Sequence, residues 1–127
     1  MLKKLNHVAI AVPCLDVAIK NYKDNFDAKV SPIKVLPKHG VKTAFVELSN
    51  TNIELLEPFG EESPIKNFLN KNPKGGIHHI CYEVKNIKDT INKLKKNKCS
   101  ILGQGIPREG AHGKPVIFIH PNEFDGT

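Results

Sequence analysis

The stretch Leu5–Val12, with the sequence LNHVAIAV, is echoed by Ile77–Val84, with the sequence IHHICYEV. The two stretches align without a gap, and each leads into a segment with helical hydrophobic periodicity. Similarity repeated at a long interval indicates two copies of one supersecondary unit. The alignment also places a histidine, His7 or His79, at the same position of each copy. Because equivalent side chains related by a pseudo-twofold axis can converge on one point, the repeat predicts a metal site.

Hydrophobic periods elsewhere in the chain predict the order β-α-β-β-β, a linking helix, and then β-α-β-β. The predicted fold class is α+β, with two tandem modules of which the second is expected to lack its last strand. The chain is expected to be a single domain with module one at about 1–60, the linking helix at about 63–72 and module two at about 76–127.

Helix starts are predicted where Ser63 precedes Pro64 and where Asn86 precedes an apolar stripe, since serine and asparagine are favoured N-caps. A glycine-containing loop is predicted from Gly103 to Gly113. The strands predicted outside the repeat are Lys29–Leu36, Val41–Leu48, Asn52–Leu56, Ser100–Leu102 and Val116–His120.

On the strand Leu5–Val12, the β-branched residues alternate with His7, Ala9 and Ala11. The β-branched face is expected to pack on the first helix, whose apolar residues also form a stripe. His7 is then expected to point away from that helix, on a face that the two alanines keep open.

The charge and cysteine content narrow the class of protein. The 127 residues carry a net charge of +6, and all but one of the 19 basic residues are lysines scattered along the chain. With almost no arginine and no tryptophan, this composition argues against nucleic-acid binding. Three cysteines without a C-x-x-C pair predict a reduced, cytoplasmic protein. No apolar stretch is long enough for a membrane span.

Glu54 lies between Ile53 and Leu55 on a short, apolar predicted strand. An unpaired buried carboxylate is costly, so Glu54 needs a cation or a proton unless its face is solvated. With His7 and His79 it forms a ligand set that suits cobalt, nickel, zinc or manganese. The symmetry of the repeat predicts a second carboxylate on the last strand of module two, and the chain contains none there.

The chain resembles the vicinal-oxygen-chelate (glyoxalase-like) superfamily and, within it, the methylmalonyl-CoA epimerase family. The stretches that carry the resemblance are residues 5–13, 39–41, 52–58, 75–80 and 110–121, of which the last is the most specific to the epimerases. The resemblance implies two tandem βαβββ modules that form a curved, mostly antiparallel sheet around a metal site. It implies a divalent metal held by His7, Glu54 and His79, an acyl-CoA substrate, and a homodimer. It also implies an epimerase that interconverts the (R) and (S) forms of methylmalonyl-CoA by α-proton abstraction and enolate stabilisation.

The acid/base residues are where the chain departs from that family. Relatives continue past the His-Pro segment into a strand with a glutamate that serves as fourth ligand and acid/base group, whereas this chain stops at Thr127. We therefore expect a truncated product with poor turnover or none. Some epimerases place the opposing base at the position of Thr43, so Glu47, on the same strand face, is the candidate catalytic residue here.

His112 and Lys114 lie in the stretch most specific to the epimerases, and we predict that they bind substrate; the alternative is a solvated loop. Cys81 is expected to be a packing residue and His120 a structural one. Two alternative functions remain, because one scaffold hosts several chemistries. They are a glyoxalase-type lyase acting on a glutathione thiohemiacetal and a non-catalytic small-molecule-binding protein.

Overall fold

The computed structural model describes every residue from Met1 to Thr127 and divides into two units. Residues 5–81 form the first unit, and residues 1–4 with 82–127 form the second. None of the helices combines the length and the apolar character that a membrane crossing requires.

One five-stranded sheet carries the repeat and the strands that follow its first copy. Its order is β2-β3-β4-β1-β5, in which β1 runs parallel to β4 and the β2-β3-β4 pairs are antiparallel. The predicted βαβββ order of module one and the α+β class are therefore confirmed. The elements are β1 (Leu2–Ala11), α1 (Leu15–Phe26), β2 (Lys34–Leu36), β3 (Val41–Glu47), β4 (Asn52–Pro58), α2 (Pro64–Lys71) and β5 (Gly76–Val84).

Helix α1 packs on the β-branched face of β1, as predicted. Leu15 at the start of the helix is 2% exposed and belongs to one apolar cluster with Val12, Leu55 and Ile10. Burial of each such side chain contributes about 1.5–3 kcal/mol, so this cluster fixes the position of α1 against β1 and β4.

The opposite face of β1 is covered, not open. Ala9 and Ala11 are fully buried with Leu56 beneath Ile65, and Phe68 packs against the same cluster. The prediction that the alanines keep this face open is thus wrong, because small side chains let helix α2 approach the sheet closely. Helix α2 begins as predicted: the backbone N–H of Ile65 donates to the Ser63 hydroxyl at 3.3 Å, and Pro64 occupies the first turn.

Strand β2 is much shorter than the predicted strand Lys29–Leu36. Pro32 has no N–H to donate, so the ladder with β3 breaks around it. Pairing before the proline is reduced to a bridge between Val30 and Val46, and the Ser31 hydroxyl accepts a bond from the backbone N–H of Phe45 at 2.8 Å. The ladder resumes at Lys34.

The second unit contains α3 (Ile87–Lys96), β6 (Arg108–Glu109) and β7 (Pro115–Val116). The predicted cap of α3 is confirmed, since the Asn86 side chain accepts a bond from the N–H of Asp89 at 3.0 Å.

Two predicted strands of the second copy are wrong over most of their length. Ser100–Leu102 and Val116–His120 reduce to a single bridge between Ile101 and Ile119, together with the short strand β7. Gly103 and Gln104 adopt positive φ values, which turn the chain out of an extended path after Leu102. Strand β6 lies inside the loop predicted from Gly103 to Gly113. The strand was not predicted because only two of its residues pair with β7, which is too few to produce an alternating pattern in the sequence.

Candidate metal centre

The strand register brings His7 and Glu54 to one face of the sheet. In the parallel pair β1–β4, His7 lies opposite Asn52 and Ala9 lies opposite Glu54. Residues two apart on a strand share a face, so His7 and Glu54 are diagonal neighbours. Strand β5 is the other neighbour of β1, and it contributes His79.

The three side chains predicted to bind metal converge on a small triangle of atoms. The Nε2 atom of His7 lies 3.3 Å from the Nε2 atom of His79 and 3.4 Å from Oε1 of Glu54. The third side, between Nε2 of His79 and Oε1 of Glu54, measures 3.7 Å. These sides define a circle with a radius of about 2 Å, close to the length of a bond from zinc to imidazole nitrogen or carboxylate oxygen. The donor set therefore fits a divalent transition ion.

The triangle is largely withdrawn from solvent. The side chain of Glu54 is 6% exposed, that of His7 is 12% and that of His79 is 18%. On the neighbouring strand β3, Phe45 lies opposite Glu54 and packs its ring edge-to-face against His7, with 5.7 Å between centroids. Low local polarity of this kind strengthens the attraction between a cation and its ligands.

The remaining donor and acceptor atoms of the three side chains also have partners. The hydroxyl of Thr43 donates to Oε2 of Glu54 at 3.1 Å, which leaves Oε1 toward the histidines. The Nδ1 atom of His7 contacts Oδ1 of Asn6 at 2.7 Å, and Nδ1 of His79 contacts Nδ1 of His78 at 2.9 Å. No pattern in the sequence assigns a role to Asn6 or His78, although each directly precedes a histidine of the repeat.

The two histidines differ in charge when no ion is bound. Burial on its own lowers the pKa of His7, but its interactions with Cys81 and the Glu54 carboxylate outweigh burial and raise that pKa to about 9. Burial lowers the pKa of His79 to about 4; the charge of Glu54 opposes that shift, whereas the charges of His78 and His7 add to it. Near pH 7 His7 is therefore protonated and His79 is neutral.

Glu54 is the anionic member of the site. Burial pushes the pKa of Glu54 up, but the hydrogen bond and charge of His7, the charge of His79 and the Thr43 hydroxyl together bring it below its ordinary value. A carboxylate that is ionised while mostly buried is stabilised by a nearby positive charge, supplied here by His7 and equally available from a metal ion.

Glu47, the predicted catalytic candidate, lies on the same strand as Thr43 but further along it. Glu47 is opposite Asn52 in the β3–β4 pair, two residues beyond Phe45, which lies opposite Glu54. Its side chain is 43% exposed, and its carboxylate lies 3.1 Å from the Nζ atom of Lys29. The catalytic role of Glu47 stays a prediction.

The two predicted substrate-binding residues belong to the second unit. His112 and Lys114 are exposed in the turn that connects β6 to β7, and the N–H of Gly110 closes this turn by donating to the carbonyl of Lys114 at 2.8 Å. The Nζ atom of Lys114 lies 4.0 Å from the carboxylate of Glu83. Their contact with substrate stays a prediction.

Comparison with known proteins gives the class of this fold and site. The sequence profile of the Glyoxalase/Bleomycin resistance protein/Dioxygenase superfamily matches residues 6–118. The ethylmalonyl-CoA/methylmalonyl-CoA epimerase of Cereibacter sphaeroides is 53% identical over 126 residues, which cover 99% of this chain and 94% of that protein. The mitochondrial methylmalonyl-CoA epimerase of Homo sapiens is also 53% identical, over 99% of this chain and 71% of its own length.

A solved structure agrees with the sequence relatives. The methylmalonyl-CoA epimerase of Streptomyces coelicolor, in complex with 2-nitronate-propionyl-CoA, superposes with a TM-score of 0.89 at 26% identity. The match covers 99% of this chain and 90% of that one. The chain therefore belongs to the glyoxalase/bleomycin resistance protein/dioxygenase superfamily and, within it, to the methylmalonyl-CoA epimerase family.

Proposed function

We propose that this protein is a metal-dependent epimerase that interconverts (R)- and (S)-methylmalonyl-CoA. The observation that carries the proposal is the triangle of Nε2 of His7, Nε2 of His79 and Oε1 of Glu54, whose sides of 3.3–3.7 Å suit one divalent ion. The substrate is proposed from the two epimerases that are 53% identical to this chain. The CoA thioester analogue bound by the Streptomyces coelicolor relative supports an acyl-CoA ligand.

The chemical difficulty of the proposed reaction is the weak acidity of the α-proton. When bound, a divalent ion supplies the positive charge that stabilises the negative charge developing on the thioester oxygen. His7, His79 and Glu54 would hold that ion through the three atoms of the triangle. The burial of Glu54 and the ring of Phe45 against His7 would limit the access of water to a bound ion from this side.

Inversion also requires that a proton leave one face of the α-carbon and return to the other. Glu47 is the candidate base on the strand face of Thr43, and its carboxylate lies 3.1 Å from the Nζ atom of Lys29. Loss of a general base typically lowers the rate by about 10²–10⁴-fold, so Glu47→Gln should lower α-proton exchange by that factor. An unchanged exchange rate would assign the base to another residue.

The experiment that tests the function is exchange of the substrate α-proton for solvent deuterium. Purified protein is stripped with a chelator, reloaded separately with cobalt, manganese, nickel or zinc, and incubated with methylmalonyl-CoA in deuterium oxide. Exchange needs only one base, so we expect deuterium at the α-carbon with at least one ion even where inversion is slow, and none in the stripped protein. No exchange by any fully loaded sample would refute the epimerase proposal, and turnover of a glutathione thiohemiacetal instead would favour the lyase.

The proposed enzyme acts as a homodimer in the cytoplasm. Sedimentation of the metal-loaded protein tests the dimer, since a monomer over the assay concentrations would contradict it.

A further inference from the structure

The residue directly before each metal-facing histidine contacts that histidine on the side away from the proposed ion. Oδ1 of Asn6 lies 2.7 Å from Nδ1 of His7. In the second copy of the repeat, Nδ1 of His78 lies 2.9 Å from Nδ1 of His79. The duplication thus repeats a pair of residues, a histidine and a side chain that contacts its Nδ1 atom.

This contact decides which nitrogen of each ring can bind a metal. A neutral imidazole carries one N–H, and only the other nitrogen has a free lone pair. The Asn6 carbonyl oxygen can only accept a hydrogen bond, so Nδ1 of His7 must donate and Nε2 keeps its lone pair once the ring is neutral. Between His78 and His79 one Nδ1 must donate, and donation by His79 directs the lone pair of its Nε2 toward His7 and Glu54.

Both contacting residues are themselves held in place, Asn6 through its backbone and His78 through its ring. The Thr51 hydroxyl donates to the backbone carbonyl of Asn6 at 3.0 Å, which fixes β1 at this residue. The ring of His78 meets Phe68 of α2 edge-to-face, with centroids 5.1 Å apart and planes at 82°. Supporting contacts of this kind hold a ligand in its productive orientation.

We propose that Asn6 and His78 are positioning residues that hold His7 and His79 in the Nδ1–H tautomer and so direct both Nε2 lone pairs to one ion. This inference rests on the metal centre of the proposed function. It assigns a role to His78, the histidine that directly precedes the metal-facing His79 on β5.

The first test is the affinity of the protein for zinc and cobalt alone, measured by competition with a chromophoric chelator. Asn6→Leu and His78→Leu remove the acceptors, and each should weaken binding by about 10–100-fold, the usual effect of losing a partner of a metal-bound histidine. Asn6→Asp keeps a carbonyl-type acceptor and His78→Asn keeps an acceptor near Nδ1, so both should bind as tightly as the unmodified protein. Unchanged affinity in both leucine variants would overturn the proposal.

The second test reads the tautomers directly on the unmodified protein and needs no variant to fold. Long-range ¹H–¹⁵N correlation spectra of the zinc-loaded protein should show His7 and His79 protonated at Nδ1 and coordinated through Nε2. In the chelator-treated protein at pH 7, His79 should still carry its proton on Nδ1.

These readouts separate the inference from the proposed function. Failure of the unmodified protein to bind zinc would remove the metal centre, but the tautomer of His79 in the metal-free protein would still test the role of His78. A proton on Nε2 of His79 in that sample would overturn the positioning role.

Discussion

The Nε2 atoms of His7 and His79 lie 3.3 Å apart, although the residues are 72 positions apart in the sequence. Without an ion, this distance is compatible with one protonated ring donating to one neutral ring. The pKa values agree with that arrangement, because that of His7 is raised to about 9 and that of His79 is lowered to about 4. A metal ion at this point would take the place of the proton that His7 carries.

Metal binding should therefore release a proton. Below a pKa of about 9, His7 must lose its proton before Nε2 can bind an ion, whereas His79 is already neutral above about 4. We expect the affinity for zinc to rise about tenfold per pH unit between roughly pH 5.5 and 7.5, since one proton leaves per ion bound. Titration calorimetry in buffers with different ionisation enthalpies should show that one proton is released for each zinc ion bound. Affinity independent of pH would contradict the assignment of His7.

Removal of either histidine should abolish stoichiometric metal binding. His7→Ala and His79→Ala each leave two of the three donor atoms, which are too few for a closed site. The ratio of bound metal to protein after gel filtration should fall from one to near zero. His112→Ala, a change in the exposed β6–β7 turn, is the matched control and should bind one ion. A full equivalent of metal in either of the first two variants would show that the triangle is not the site.

The residues of the candidate site could be predicted from the repeat and from the cost of burying a carboxylate. His7 and His79 could be predicted because the two strands align residue by residue, and Glu54 because a carboxylate between apolar residues needs a partner. The resemblance named the same three residues. Asn6 and His78 were missed because a polar residue beside a histidine on a strand is expected to point to the opposite face.

The parts of the fold that could not be predicted depend on contacts between elements. Nothing in β1 itself shows that α2 covers Ala9 and Ala11, because the α2 residues of that cluster, Ile65 and Phe68, lie more than fifty positions away. Pro32 does carry a local signal, and its missing N–H explains the short β2. The two-residue pairing of β6 with β7 is too short to leave a period in the sequence.

Thr43 should stabilise the protein through its hydrogen bond to Glu54. Thr43 is 1% exposed, and its hydroxyl donates to Oε2 at 3.1 Å. Thr43→Val keeps the shape but leaves a buried carboxylate oxygen without this donor, which should cost about 1–3 kcal/mol of unfolding free energy. Urea denaturation of the metal-free protein measures the change, with Thr43→Ser as the control that retains the hydroxyl. Equal stability of the valine and serine variants would show that the bond contributes nothing.

The metal-free protein should lose stability on both sides of about pH 6.5. The pKa of His79 is lowered to about 4, so its contribution is present above 6.5 and is lost as the pH falls toward 4. The pKa of His7 is raised to about 9, so its contribution is present below 6.5 and is lost as the pH rises through 9. Glu54, whose pKa is also lowered, adds to the loss at the acid end.

His79→Gln separates these contributions, because glutamine cannot take up the proton that the unfolded histidine binds below pH 6.5. Urea unfolding with a chelator present, at pH 6.5 and 4.5, should show that the unmodified protein loses up to about 3 kcal/mol more than the variant between the two conditions. Between pH 6.5 and 9 the two proteins should both lose stability, since His7 is retained in each. If the variant loses as much unfolding free energy as the unmodified protein between pH 6.5 and 4.5, His79 is not held neutral by the fold. The pH dependence of an empty centre would then have to come from Glu54 and His7 alone.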